Sequence, residues 1–206
     1  MNPRLAHLLS ALFHPLLMPT MLYAVIFYFS PVAVGPLNNQ FRLLMLAGIV
    51  ITTFLIPALF IYILYQAEAV GDLRLEDQRE RTLPFLVTTV VYGTFTYFFY
   101  WKLDQLATIS LVLGSITVAV ALVTLINLFW KISAHSVGIS GVVGSLVGIH
   151  YKFADTDLFY PILLAIVLAG WLMSARLSLN AHHPSQVLAG CLLGLGISFG
   201  TVWWLV

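Results

Sequence analysis

Long unbroken apolar stretches, with no short alternating runs, set the pattern of this chain. They cover roughly Leu12–Phe29, Phe41–Tyr65, Leu83–Trp101, Leu106–Trp130, Ser136–Tyr151, Phe159–Leu177 and Val187–Val206. A helix needs about 20 apolar residues to cross the hydrocarbon layer, and several blocks reach that length. Membrane-spanning strands would alternate over shorter segments. The pattern predicts an all-α fold, a polytopic membrane bundle of six to seven transmembrane helices forming a single domain over residues 1–206. Two blocks leave the number open. The fifth is short and glycine-rich, and the first contains Pro15 and Pro19, so six full crossings with one partial crossing also fit. Met1–Ser10, with Arg4 ahead of apolar residues, has some look of a signal peptide. It lacks a convincing small-residue cleavage site and reads as the start of a first membrane segment.

Composition sharpens this picture. Hydrophobic residues make up 61% of the chain and charged residues 8%, against about a quarter charged in soluble domains. A buried soluble core does not account for such numbers. The net charge of +1 comes without any basic run, which excludes a nucleic-acid surface as the expected partner. Cys191 is the single cysteine, so no intramolecular disulfide forms. Glycines recur in the fifth block (Gly138, Gly141, Gly144, Gly148) and the seventh (Gly190, Gly194, Gly196, Gly200). Small residues let helices approach closely, which predicts that these two lie at the centre. The run Tyr97–Trp101 at a block end fits an interfacial aromatic belt.

Three polar segments break the apolar pattern: GDLRLEDQRERTLP at Gly71–Pro84, KISAH at Lys131–His135, and ARLSLNAHHPSQVLAG at Ala175–Gly190. Two apolar blocks separate each from the next. An even number of crossings returns the chain to its starting side, so all three face the side of the N-terminus. The opposite ends carry Arg42, Lys102, Asp104, Lys152, Asp155 and Asp157, which read as loop or snorkelling charges. Arg74 and Arg81, seven apart, would share one face of a helix, as would His182 and Gln186, four apart.

These residues carry a resemblance. The third segment resembles the signature S-R-x5-H-x3-D of the type 2 phosphatidic acid phosphatase family, with Arg176, five residues, His182, three residues and Gln186. The second is similar to P-S-G-H, with Ser133, Ala134 and His135. The first is similar to K-x6-R-P, with Arg74, Arg81 and a proline delayed to Pro84. The resemblance extends from Arg74 to Gly194, in the family's order. It departs at Arg74 (for lysine), Ala134 (for glycine) and Gln186 (for aspartate). The last change matters most: an amide oxygen orients an imidazole but lacks the charge that stabilises an imidazolium.

The resemblance implies metal-independent hydrolysis of a lipid phosphate or diphosphate, with no cofactor. In that scheme His182 attacks phosphorus, His135 acts as acid and then base, and Gln186 orients His182. Arg74, Arg81 and Arg176, with Ser133 and the Ala134 amide, bind the phosphoryl oxygens. His7, His14, His150 and His183 read as structural, and Arg79, Asp72, Glu76, Asp77 and Glu80 as a solvated loop. Asn127 reads as a helix-packing polar group and Lys131 as a snorkelling lysine or a further phosphate contact. Two other functions stay open: a transporter or flippase that binds an anionic headgroup, and a non-catalytic relative, which the amide at 186 keeps in view. The expected partners are a lipid phosphate substrate and membrane lipids, and the expected location is a bacterial inner membrane. Six of nine basic residues lie on the cluster side, which the positive-inside rule reads as cytoplasmic. Three of those six are assigned to phosphate, which leaves the orientation open, as are substrate and oligomeric state.

Overall fold

The computed structural model describes residues 1–35, 37–73, 75, 77–102 and 107–206. Arg74, one of the phosphate-binding residues expected from sequence, lies outside the described residues, as do Glu76 and Asp104. The described residues form an all-α polytopic bundle without strands. In chain order the helices are α1 (Pro3–Leu12), α2 (Met18–Phe29), the short α3 (Pro31–Val34), α4 (Asn39–Val50), α5 (Ile56–Gln66), α6 (Gln78–Lys102), α7 (Ala107–Asn127), α8 (Ala134–Phe153), α9 (Phe159–Ser178) and α10 (Pro184–Leu205). A 3-10 turn at Pro15–Leu17 joins α1 to α2, and a π-helical turn at Ile51–Leu55 joins α4 to α5.

Among the described residues, six segments are long and apolar enough to cross a membrane: Pro3–Phe29, Asn39–Gln66, Gln78–Lys102, Ala107–Asn127, Thr156–Ser178 and Pro184–Leu205. Their outward faces carry large exposed apolar side chains such as Leu44, Val90, Leu164 and Leu192, as lipid contact requires. Helix α8 is the seventh rod. Its 20 residues span about 30 Å, the thickness of the hydrocarbon layer. Serines and glycines lower its hydropathy, and α2, α7, α9 and α10 all pack against it. The fifth block is therefore a full-length helix in the bundle's interior.

Close approach of α8 and α10 explains the glycines. A Cβ on Gly194 would lie 2.1 Å from the Val137 carbonyl oxygen, and one on Gly144 would lie 2.6 Å from that of Leu195. Only hydrogen fits at these two contacts, and the helices pack by van der Waals contact between backbones. On the far face, Asp155 departs from the solvated loop charge read from sequence. It is buried, accepts a 2.6 Å hydrogen bond from Ser30 Oγ and caps the turn at Thr156–Leu158 through the Asp157 N–H. Its backbone carbonyl meets His150 Nδ1 at 2.6 Å, so His150 is a structural clip on that face.

A candidate phosphate site at one face of the bundle

Contacts between distant segments bring the three polar clusters together. Asn127 Nδ2 donates to the Gln78 carbonyl at 2.9 Å, and Gln78 Nε2 returns a bond to the Asn127 carbonyl at 2.7 Å. This reciprocal pair fastens the end of α7 to the start of α6. The Ser133 N–H donates to the Gln186 carbonyl at 3.4 Å, which joins the starts of α8 and α10. Both contacts lie at the bundle end occupied by α1.

A cavity of about 620 Å³ opens among these segments, and Arg81, Lys131, Ala134, His135, Arg176 and His182 all line it. Arg81 lies in the first turn of α6, only 7% exposed, and its Nε donates to the Leu75 carbonyl. The expectation of one helix carrying both Arg74 and Arg81 falls on Arg74, outside the described residues. Leu75 takes a left-handed φ of 52°, and α6 begins only at Gln78.

His182 sits in the link between α9 and α10, also 7% exposed. Its Nδ1 lies 3.1 Å from Gln186 Oε1, and the backbone N–H of His183 donates to the same oxygen at 3.1 Å. A backbone N–H needs an acceptor, so the oxygen of the amide must face both partners. An oxygen accepts only, so His182 Nδ1 carries the hydrogen and Nε2 keeps the lone pair. Burial, and then the positive charge of Arg81, push the His182 imidazole down from 6.5 to about 4, against the opposing hydrogen bond to Gln186. The ring is therefore neutral near pH 7, with a free electron pair at Nε2.

The first membrane segment supplies partners that sequence reasoning missed. Helix α1 ends at Leu12 and Pro15 follows, so the Ser10 carbonyl finds no continuing helix to bond. That carbonyl meets His135 Nε2 at 3.1 Å, and the Ser10 hydroxyl accepts from Arg176 Nη1 at 3.1 Å. One residue holds both a histidine and an arginine of the cavity. His14, read from sequence as structural, caps the 3-10 turn by accepting the Leu16 N–H. Its ring also meets that of His135 edge-on at 6.0 Å, and both His7 and His14 line the cavity. The proline-flanked break beside a histidine was the available signal.

Two expected residues stand behind the cavity wall. Ser133 is fully buried as the N-cap of α8, where its Oγ accepts from the Ser136 N–H at 3.3 Å and the Ser136 hydroxyl at 2.9 Å. Gln186, 8% exposed, backs His182. The first turn of α8 reaches the wall through Ala134 and His135, with the positive end of its helix dipole at that end. Glu80 is not merely solvated, since its Oε1 accepts the Gly71 N–H at 3.1 Å.

Fold and cavity together define a polytopic helical membrane protein with a basic, histidine-bearing pocket at one end of its bundle. Residues 127–206 match the family model described as PAP2 superfamily, a stretch that holds Ser133, His135, Arg176, His182 and Gln186 and leaves Arg81 outside. The match supports phosphatase-type activity in general. No curated protein and no solved structure matches the chain.

Proposed function

We propose that the protein hydrolyses a phosphate or diphosphate ester of a lipid, through a phosphohistidine formed on His182. The observation that carries this reading is the pairing of His182 Nδ1 with Gln186 Oε1 at 3.1 Å, which leaves Nε2 for the cavity shared with Arg81 and Arg176. Phosphoryl transfer chiefly needs positioning and stabilised charge. Two guanidinium groups, Lys131 and the N-terminal end of α8 supply positive potential around one small volume.

In the first step the Nε2 lone pair attacks phosphorus, and the bond from phosphorus to the lipid oxygen breaks. The departing oxygen takes a proton from His135. The bound phosphate's negative charge favours the protonated ring, and exchanging the Ser10 carbonyl for the leaving oxygen frees its Nε2–H. In the second step water attacks phosphorus, His135 accepts the water proton, and the P–N bond breaks to return neutral His182 and release phosphate.

The deciding experiment compares phosphate release from lipid phosphates by the wild-type protein, His182→Ala and His135→Ala. Release by the wild type and loss in both variants is expected. Equal background release from all three would sink the hydrolase reading. One observation favours a second reading: Gln186 Oε1 is shared with the His183 N–H and so also caps α10. A non-catalytic headgroup-binding protein would keep that cap, bind phosphate and release none.

A further inference from the structure

The cavity does not stop at the basic cluster. It continues between the helices, where Leu22, Phe85, Ile116, Ala119, Val120 and Val142 line it. Position along the helices gives its depth. Tyr92 lies eleven residues beyond Arg81 on α6, and Ile116 lies eleven residues from Asn127 on α7. Each separation corresponds to about 16 Å of helix. Ser198, eight residues along α10 from the Gly190 that abuts the Ser133 carbonyl, lies about 12 Å in by the same rise. Half of the hydrocarbon layer is about 15 Å, so the chamber runs from the headgroup plane to roughly the midplane.

Its floor is built. Tyr92 is 2% exposed, and its hydroxyl donates to the Thr53 carbonyl at 2.7 Å. Thr53 lies within the π-helical turn Ile51–Leu55, and the residue four positions on is Pro57, which has no N–H, so the Thr53 carbonyl is open to an outside donor. The ring lines the chamber and is fixed by its far end. Thr88, the other polar residue nearby on α6, returns its hydroxyl to the Pro84 carbonyl at 2.8 Å and leaves a methyl group for the wall.

We propose that this chamber holds one hydrocarbon tail of the substrate and that Tyr92 limits the tail's length. The proposal rests on the phosphatase reading and narrows its substrate class. A tail that enters between the helices runs about 16 Å before it meets Tyr92. The favoured class is therefore a lipid phosphate or diphosphate whose tail is of moderate length and points inward.

The test uses the purified full-length protein and a graded series of single-tailed alkyl phosphates. Wild-type kcat/KM is expected to rise with tail length and fall beyond an optimum. Tyr92→Ala removes the floor and moves the optimum to longer tails, with a roughly tenfold change in the long-to-medium ratio. Tyr92→Phe keeps the ring and the wild-type optimum. Ala119→Phe intrudes from α7 and moves the optimum the other way, which serves even if Tyr92→Ala fails to fold. One common optimum in all variants overturns the inference and leaves the phosphatase reading standing. No release even from the shortest phosphate, which needs no chamber, overturns both.

Discussion

The Ser10 carbonyl oxygen lies 3.1 Å from Nε2 of His135, 125 positions away in the chain. A carbonyl accepts only, so the contact assigns the hydrogen of the neutral His135 ring to Nε2. The same serine's hydroxyl accepts from Arg176. Helix α1 is thus joined to the basic cavity through two atoms of one residue, and Ala6 and Leu9 hold it against Ala175 of α9.

Ser10→Ala removes the hydroxyl and keeps the carbonyl. One neutral partner of a charged donor contributes roughly 1.5–3 kcal/mol. With the guanidinium free to find water, the lower end applies, and kcat/KM is expected to fall about tenfold. The loss should fall mainly in KM, since Arg176 binds phosphate in both ground and transition states. Initial-rate kinetics check this, and an unchanged KM would remove Ser10 from the positioning of Arg176.

Gln186→Leu deletes the acceptor of both the His182 ring and the His183 N–H. Turnover is expected to drop by about ten- to a hundredfold, the kinetic equivalent of a lost orienting bond. Gln186→Asp retains an acceptor and adds the charge that favours an imidazolium, so turnover is expected to hold or rise. Steady-state assays at saturating substrate read both outcomes.

The pH profile carries a sign. Burial first, then Arg81, hold the His182 imidazole at about 4 instead of 6.5, so the neutral nucleophile persists well into acid. The acid limb of kcat/KM that belongs to this ring is expected below 6.5, near 4. Gln186→Asp should move it upward, because a carboxylate favours the charged ring. The same shift enters stability. Between 6.5 and about 4 the unfolded chain binds a proton that the folded chain does not. His182 therefore makes the fold less stable as pH falls through that window, and its contribution is flat above and below. Activity profiles of the two proteins, and melting of wild type against His182→Ala across the window, test the sign.

Gly194→Val drives methyl groups into the Val137 carbonyl, where even a Cβ would sit at 2.1 Å. Overpacking costs about 1–3 kcal/mol where side chains can yield. Backbone cannot yield as side chains do, so the upper end or more is expected. Gly196→Val, at a glycine with nothing within 4 Å, should cost little. Thermal unfolding in detergent compares the pair.

Much of this arrangement is legible in the sequence because it depends on counts. Apolar length gives the crossings, and parity alone puts Arg81, His135 and His182 on one side. Spacing puts Gln186 near His182, although His182 precedes α10 and the pair forms through that helix's N-terminal cap, not along a helix face. Other features depend on backbone atoms, which residue types do not advertise. The carbonyl of Ser10 is one, and the left-handed turn at Leu75 ahead of the helix of Arg81 is another. Ser133 misleads in a different way: a serine before a helix serves the helix first, and its hydroxyl is taken by Ser136. Helix α8 reads as a short block because its serines and glycines lower its hydropathy, although enclosure by its neighbours is what permits them. His14 is marked only by the proline that follows it, not by any spacing to the other histidines.

Pro15 interrupts the first rod where an alanine would let it run straight. In a straight rod the amide of residue 14 would close on the oxygen of residue 10, and His135 would have to share that acceptor with it. An apparent flaw near the amino terminus is thus what lets that arm reach chemistry encoded far downstream.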